Sequence, residues 1–179
     1  MLDKNPPGFV GLALKAIVAH TITYVFVGIP VFLIFNYTES FRSPEMACWM
    51  RPTNDPVIMA GPLVQPIRGF IFALAFFPIR EILFGKKNGW LITWWLLVAL
   101  GILSTFGPAP GSIEGMVYTI LPVSMATYLE IVLQSFSFSI LLFYWITNPD
   151  KKWLGWLMGV VFAILMLLIV IGLVTTYGA

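Results

Sequence analysis

The sequence predicts an all-α membrane protein, a polytopic helical bundle that occupies residues 1–179 as a single domain. Three observations predict this class. Of the residues, 59% are hydrophobic and 10% are charged, and the mean hydropathy is +0.92. The apolar residues also form long runs, which short connections separate. Because a bilayer leaves each backbone polar group to be satisfied within its own segment, such runs indicate transmembrane helices.

Five apolar runs predict five transmembrane helices joined by short loops. Each run approaches or exceeds the ~20 residues that cross a hydrocarbon core. The short connections predict that consecutive helices pack antiparallel. The predicted spans cover about residues 9–35, 57–84, 90–106, 113–147 and 153–176.

The second and fourth spans are too long for one straight crossing. Each contains a proline near its predicted outer end, Pro66 in the second and Pro122 in the fourth. Proline removes a backbone donor and clashes with the preceding turn. We therefore expect a short outer piece, a kink or break, and then the true span. Ser112 is the predicted N-cap of the outer piece of the fourth span, with Glu114 in its first turn.

The distribution of basic residues predicts a cytoplasmic amino terminus and a carboxy terminus outside the cell. Arg42 and Arg51 fall on the predicted outer side, whereas most other basic residues fall on the inner side: Lys4, Lys15, Arg80, Lys86, Lys87, Lys151 and Lys152. The formal charge of +2 is therefore explained by topology, and no nucleic-acid partner is predicted. We expect a multi-pass protein of a cell membrane, a prokaryotic cytoplasmic membrane, with membrane lipids as partners.

Polar residues inside the apolar runs predict a binding site. Thr127, Glu130, Gln134 and Ser137 recur at helical spacing and share one face. A carboxylate within the hydrocarbon costs ~2.5 kcal/mol or more, so Glu130 requires a partner. Arg68 is the predicted partner, because both residues lie roughly 27–31 Å from the inner surface at ~1.5 Å per residue.

Gln65 and His20 complete the predicted network. Gln65 precedes Arg68 by one helical turn and extends the network toward Gln134, while His20 lies about mid-span in the first helix and floors the same cavity. The predicted ligand-binding residues are Gln65, Arg68, Glu130, Gln134 and His20.

Each of these residues also has an ordinary structural interpretation. Arg68 can snorkel to the outer headgroups without any internal site. Glu130 and Gln134 can hydrogen-bond between spans. A lone His20 is more often a packing residue than a ligand, and Cys48 has no Cys or His cluster around it. No metal, cofactor or catalytic residue is predicted.

The sequence leaves three functions open. The first is binding of a small polar or amphiphilic, lipid-like ligand in an outward-facing polar cavity, with a role in transport as one form. The second is a non-catalytic structural or accessory subunit that contacts other membrane subunits through Gly155 and Gly159. The third is an intramembrane enzyme, for which a nucleophile beside a base is missing. The outer loop 36–55, which contains Cys48, is expected to form either a solvated loop or a cap over the mouth.

Overall fold

The computed structural model describes residues 7–105, 109, 111–120 and 125–178, except for the side chain of Thr127. The regular secondary structure of these residues is entirely helical. It includes a 3-10 turn over Phe77–Ile79 and a π-helix over Ala99–Leu103. The α-helices are α1 (Phe9–Ile34), α2 (Tyr37–Ser40), α3 (Pro44–Ala47), α4 (Pro56–Met59), α5 (Gly61–Phe76), α6 (Arg80–Gly85), α7 (Gly89–Val98), α8 (Ile113–Tyr118), α9 (Met125–Thr147) and α10 (Lys152–Tyr177).

Three of the helical stretches are long and apolar enough to cross a membrane. They are Phe9–Ile34, Tyr128–Thr147 and Lys152–Tyr177, and Gly89–Leu103 is a shorter apolar stretch. The predicted helical class is therefore confirmed for the described residues. Membrane crossing is supported by length and hydropathy for three of the five predicted spans.

The predicted break at Pro66 is wrong. α5 continues through Pro66 without interruption. The irregular points lie on either side of it, at Ala60 between α4 and α5 and at the 3-10 turn Phe77–Ile79. Pro66 lies close to the start of α5 and removes a single hydrogen bond there, and the extensive packing of α5 against α1 offsets that loss.

The fourth predicted span consists of two helices. α8 ends before Thr119, whose backbone is extended, and α9 begins at Met125. Pro122 lies outside the described residues. Ser112 caps α8 as predicted, since its Oγ accepts a hydrogen bond from the backbone N–H of Gly115 at 2.9 Å.

α1 packs antiparallel to both α5 and α9. Phe9, at the start of α1, contacts the Phe77 ring just beyond the end of α5 at 5.3 Å between centroids. Lys15 donates a hydrogen bond to the carbonyl oxygen of Trp145, near the end of α9, at 3.1 Å. The end of the bundle where α1 begins and α9 ends is called the amino end below. The opposite end, which carries residues 35–55, is called the loop end.

Small residues allow α1 and α5 to approach closely. Ala16 on α1 and Ala73 on α5 are fully buried. A Cβ atom added at Gly69 would lie 2.6 Å from the Cα of Ile17, a distance at which the backbones would have to move apart. Glycine at this position therefore sets the separation of the two helices.

α10 lies at the periphery of the bundle. Leu154 is its buried side chain in the described structure. Gly155 faces the Trp145 indole, with 3.7 Å between an added Cβ and Nε1, whereas Gly159 faces open space. At the loop end, the Tyr177 hydroxyl donates to the carbonyl oxygen of Asn54 at 2.5 Å. The predicted contact with other subunits through the two glycines stays a prediction.

Candidate functional site

A cavity of about 120 Å³ lies where α1, α5, the π-helix and α9 meet. Roughly 10–15 Å³ is enough for one water molecule, so this space admits a small polar group. We call it the polar cavity. Its polar lining residues are His20, Arg68, Gln134 and Ser135, and its apolar lining residues are Phe72, Leu97, Gly101, Ile131 and Phe138. Three of the five predicted site residues therefore line one space.

His20 is almost fully buried, at 2% exposure, and its Nε2 lies 3.1 Å from the Gln65 Oε1. The Gln65 Nε2 donates to the carbonyl oxygen of Gly61 at 3.2 Å. Since a carbonyl accepts only, this contact orients the Gln65 amide with Oε1 toward His20, so the His20 Nε2 carries the proton. The other ring nitrogen, Nδ1, is then an acceptor, and it has no partner in the described structure.

The predicted ion pair between Arg68 and Glu130 is wrong. Both side chains belong to the described residues, and no nitrogen–oxygen distance between them is within the 4.0 Å limit for an ion pair. The Arg68 guanidinium instead lies 5.8 Å from the centre of the Phe72 ring. Both charges are close enough to Tyr24 to interact with it electrostatically. The two residues thus lie in one neighbourhood without direct contact.

Glu130 makes its contacts at the loop end of the bundle. The Tyr37 hydroxyl donates to its Oε2 at 2.6 Å, and its Oε1 lies beside Gly28, 3.6 Å from an added Cβ. Burial, followed by the hydrogen bond to Glu130, raises the pKa of Tyr37 well above its ordinary value, so its hydroxyl stays protonated and remains a donor. Glu130 therefore fixes α2 to α9, and the polar cavity is lined without it.

The face of α9 toward the cavity differs from the predicted polar face. Gln134 belongs to both, but its neighbours at the cavity are Ile131, Ser135 and Phe138. These four follow the spacing of one helical stripe, rotated about the helix axis from the stripe that contains Glu130 and Ser137. The side chain of Thr127 lies outside the described residues.

Ser135 and Phe72 are lining residues that sequence reasoning missed. Phe72 follows Arg68 by one turn of α5, and its ring contacts both His20, at 5.0 Å, and Phe138, at 5.5 Å. A search for aromatic residues one turn from each buried polar residue would have found Phe72. Ser135 directly follows Gln134, and its Oγ donates to the Val132 carbonyl oxygen at 3.1 Å.

Two lining groups have no hydrogen bond or ion pair to the described part of the protein, namely the Arg68 guanidinium and the Gln134 amide. Within the same residues no cluster of three or more His, Cys, Asp or Glu side chains is placed to hold a metal ion. The residues that line the cavity thus supply N–H donors from Arg68 and Gln134 and an amide oxygen acceptor from Gln134, and the lining residue His20 carries an acceptor nitrogen without a partner.

Comparisons with known proteins find no match: no family model, no curated protein and no solved structure matches the chain. A functional proposal therefore starts from the chemistry of the polar cavity. Its lining combines one positive charge, neutral polar groups and aromatic rings.

Proposed function

We propose that the chain is a multi-pass membrane protein that binds the anionic head of a small polar or amphiphilic ligand in the polar cavity. One observation carries the proposal. Arg68, Gln134 and His20 line one space, and the Arg68 guanidinium, the Gln134 amide and the His20 Nδ1 each lack a hydrogen-bond partner in the described structure. Arg68 is exposed and Gln134 is half-buried, so a ligand can reach their donors, whereas His20 is buried, and a buried polar group without a partner is costly. A ligand would supply the partners that the protein does not.

The three groups define the chemistry of that ligand. Arg68 and the Gln134 amide donate, so they fit the oxygens of a phosphate or a carboxylate. The His20 Nδ1 accepts, so it fits a hydroxyl on the same ligand. A phosphate ester that also carries a hydroxyl group satisfies all three at once.

We propose five crossings, a topology in which this cavity lies near the outer surface. In the proposed topology, the helical stretches Gly61–Gly85 and Gly89–Leu103 also cross the membrane, in addition to the three longer helices. The antiparallel contacts support alternating directions, and the basic residues around Lys86 and Lys151 support a cytoplasmic amino end. The loop end then faces outside, and the cavity opens in the outer half of the membrane.

Glycerophosphate, which carries both a phosphate and hydroxyls, is the probe that tests this proposal. We expect it to raise the melting temperature of the detergent-solubilised protein, because a ligand that binds only the folded state stabilises it by about 2.7 kcal/mol at a concentration of 100 times Kd. Glycerol, which has no charge, should give no rise. The substitution Arg68→Met should remove the rise.

The matched control is Arg51→Met, which removes the same charge from the loop, where Arg51 pairs with Asp55 at 3.2 Å. This variant should keep the full response to glycerophosphate. If Arg68→Met responds as the unmodified protein does, Arg68 only reaches to the headgroups, and the proposed site is wrong.

A second candidate function is that of an accessory subunit in a larger membrane assembly, and α10 favours it. None of the most apolar 18-residue stretch of α10 is buried in the chain. Lipid or a partner helix must therefore cover it. Size in mild detergent tests this candidate: a 20.0 kDa monomer in its micelle contradicts it, and a larger assembly of defined composition supports it.

A further inference from the structure

A second cavity, of about 330 Å³, adjoins the polar cavity. The two share three lining residues, Phe72, Leu97 and Gly101. We call the second one the apolar cavity, because all of its lining residues are apolar: Phe72, Ala75, Phe76, Ile79, Leu96, Leu97, Leu100 and Gly101.

The π-helix borders both cavities. The Ser104 N–H donates to the carbonyl oxygen of Ala99, five residues earlier, at 2.8 Å, and this wider turn contains Gly101. A Cβ atom added at Gly101 would meet nothing within 4 Å. Gly101 therefore borders both cavities without a side chain that would fill either one, and π-helical turns occur frequently at functional sites.

The apolar cavity extends from Arg68 toward the amino end. Its positions on α5 and the 3-10 turn follow Arg68 in sequence, as far as Ile79, which lies roughly 16 Å farther along at ~1.5 Å per residue. Its positions on α7 lead back from Gly101 to Leu96, in the same direction, because α7 begins at the amino end. Leu100 and Ile79 are exposed, so the cavity is open at the side of the bundle.

From this arrangement we infer that the bound ligand is a lipid from the leaflet at the loop end, with its anionic head at Arg68 and one hydrocarbon chain in the apolar cavity. This inference rests on the proposed function. A lipid of that leaflet has its head toward the loop end and its chain toward the bilayer centre, which is the order of the two cavities. The lateral opening admits it from the membrane without passage through water.

Photolabelling from the hydrocarbon chain of a lipid probe tests the inference, because labelling by lipid that merely surrounds the protein does not saturate. The probe is a long-chain alkyl phosphate with a diazirine near the end of its chain, and the comparison probe is the corresponding neutral alcohol. Both probes are added to the protein in phosphatidylcholine vesicles. We expect the phosphate probe to label the residues from Ala75 to Ile79 or from Leu96 to Leu100, and an excess of unreactive alkyl phosphate to abolish this labelling.

The variant Ala75→Phe fills the apolar cavity and should lose the saturable labelling. Its matched control is Leu74→Phe, on the neighbouring residue, which lines neither cavity and should keep it. Equal labelling of the two variants, or labelling that unreactive alkyl phosphate does not reduce, overturns the placement of the chain.

Arg68→Met separates this inference from the proposed function. Saturable labelling that persists in Arg68→Met contradicts the anionic site at Arg68 but supports the placement of the hydrocarbon chain in the apolar cavity. Stabilisation by glycerophosphate that depends on Arg68, without saturable labelling from the chain, supports the proposed function and overturns the lipid inference.

Discussion

α1 and α10 have the same length, 26 residues each, and both are apolar enough to cross a membrane, yet they occupy opposite environments. In the most apolar 18-residue stretch of each, the mean hydropathy is 2.1 for α1 and 3.2 for α10, while 39% of the stretch is buried in α1 and none in α10. The less hydrophobic helix is thus the one at the centre of the bundle. Hydropathy alone does not indicate which helix is interior.

Side-chain size explains the difference. The buried positions of α1 include Ala13, Ala16, Ala19 and Thr23, whereas most of α10 carries Leu, Ile, Val and Met. In a membrane the lipid is as apolar as leucine, so association of helices depends on close packing of small residues and on hydrogen bonds. Small and hydroxyl side chains therefore distinguish α1 as the interior helix.

The largest expected effect is that of Gly69→Leu, which would break the close approach of α1 and α5. A Cβ at this position meets the Ile17 Cα at 2.6 Å, so we expect a loss of stability of about 3 kcal/mol. Gly159→Leu on α10 is the matched control, because nothing lies within 4 Å of its added Cβ. Unfolding of both variants in detergent measures the difference, and equal losses would contradict the contrast between the two helices.

The sequence predicts the helices and the depth of the polar residues better than it predicts their partners. Counting residues from the inner surface placed Arg68 and Glu130 at one level, and both do interact with Tyr24. The same arithmetic does not determine the rotation of α9 about its axis. That rotation turns Glu130 toward Tyr37 and turns Ser135 toward the polar cavity.

The partner of Glu130 also could not be found by periodicity. Tyr37 belongs to the short helix α2, in a loop for which the sequence left both a solvated form and a cap open. Its docking depends on the αL conformation of Asn36, at φ 46°, and on ring stacking with Phe41 at 5.4 Å. Such contacts between distant segments arise from tertiary packing, which no local pattern encodes.

A smaller effect is expected for Tyr37→Phe, which tests how firmly α2 is held to α9 inside the bundle. This change removes the 2.6 Å hydrogen bond to the half-buried Glu130 and leaves its carboxylate with one partner fewer. We expect a loss of about 1–2 kcal/mol, since hydrogen bonds to charged groups stabilise more than neutral ones. The double variant Tyr37→Phe/Glu130→Gln should lose less stability than the sum of the losses of the two single variants.

Tyr177→Phe is the control at the periphery. It removes the exposed hydrogen bond between α10 and Asn54, which joins neutral groups, so the loss should stay below about 1 kcal/mol. An effect as large as that of Tyr37→Phe would show that α10 is held to the bundle as firmly as α2, and would weaken its assignment as a peripheral helix.

The smallest effect is expected for Asp55→Ala, at the point where the loop end meets α10. Asp55 caps α4, which contacts α10, and it accepts from the Val57 N–H at 2.7 Å. That hydrogen bond, followed by Arg51, holds the pKa of Asp55 below its ordinary value of 3.8. Because the folded-state pKa is the lower one, the contribution of the carboxylate is present above pH 3.8 and is lost as the pH falls through the folded-state pKa.

Melting temperatures of Asp55→Ala and the unmodified protein therefore should differ slightly at neutral pH and converge in strong acid. Asp55→Asn separates the two causes, since asparagine also caps helices but carries no charge. If Asp55→Asn behaves as the unmodified protein at neutral pH, capping rather than charge holds α4 in place. A difference between Asp55→Ala and the unmodified protein that grows as the pH falls would contradict the assigned sign.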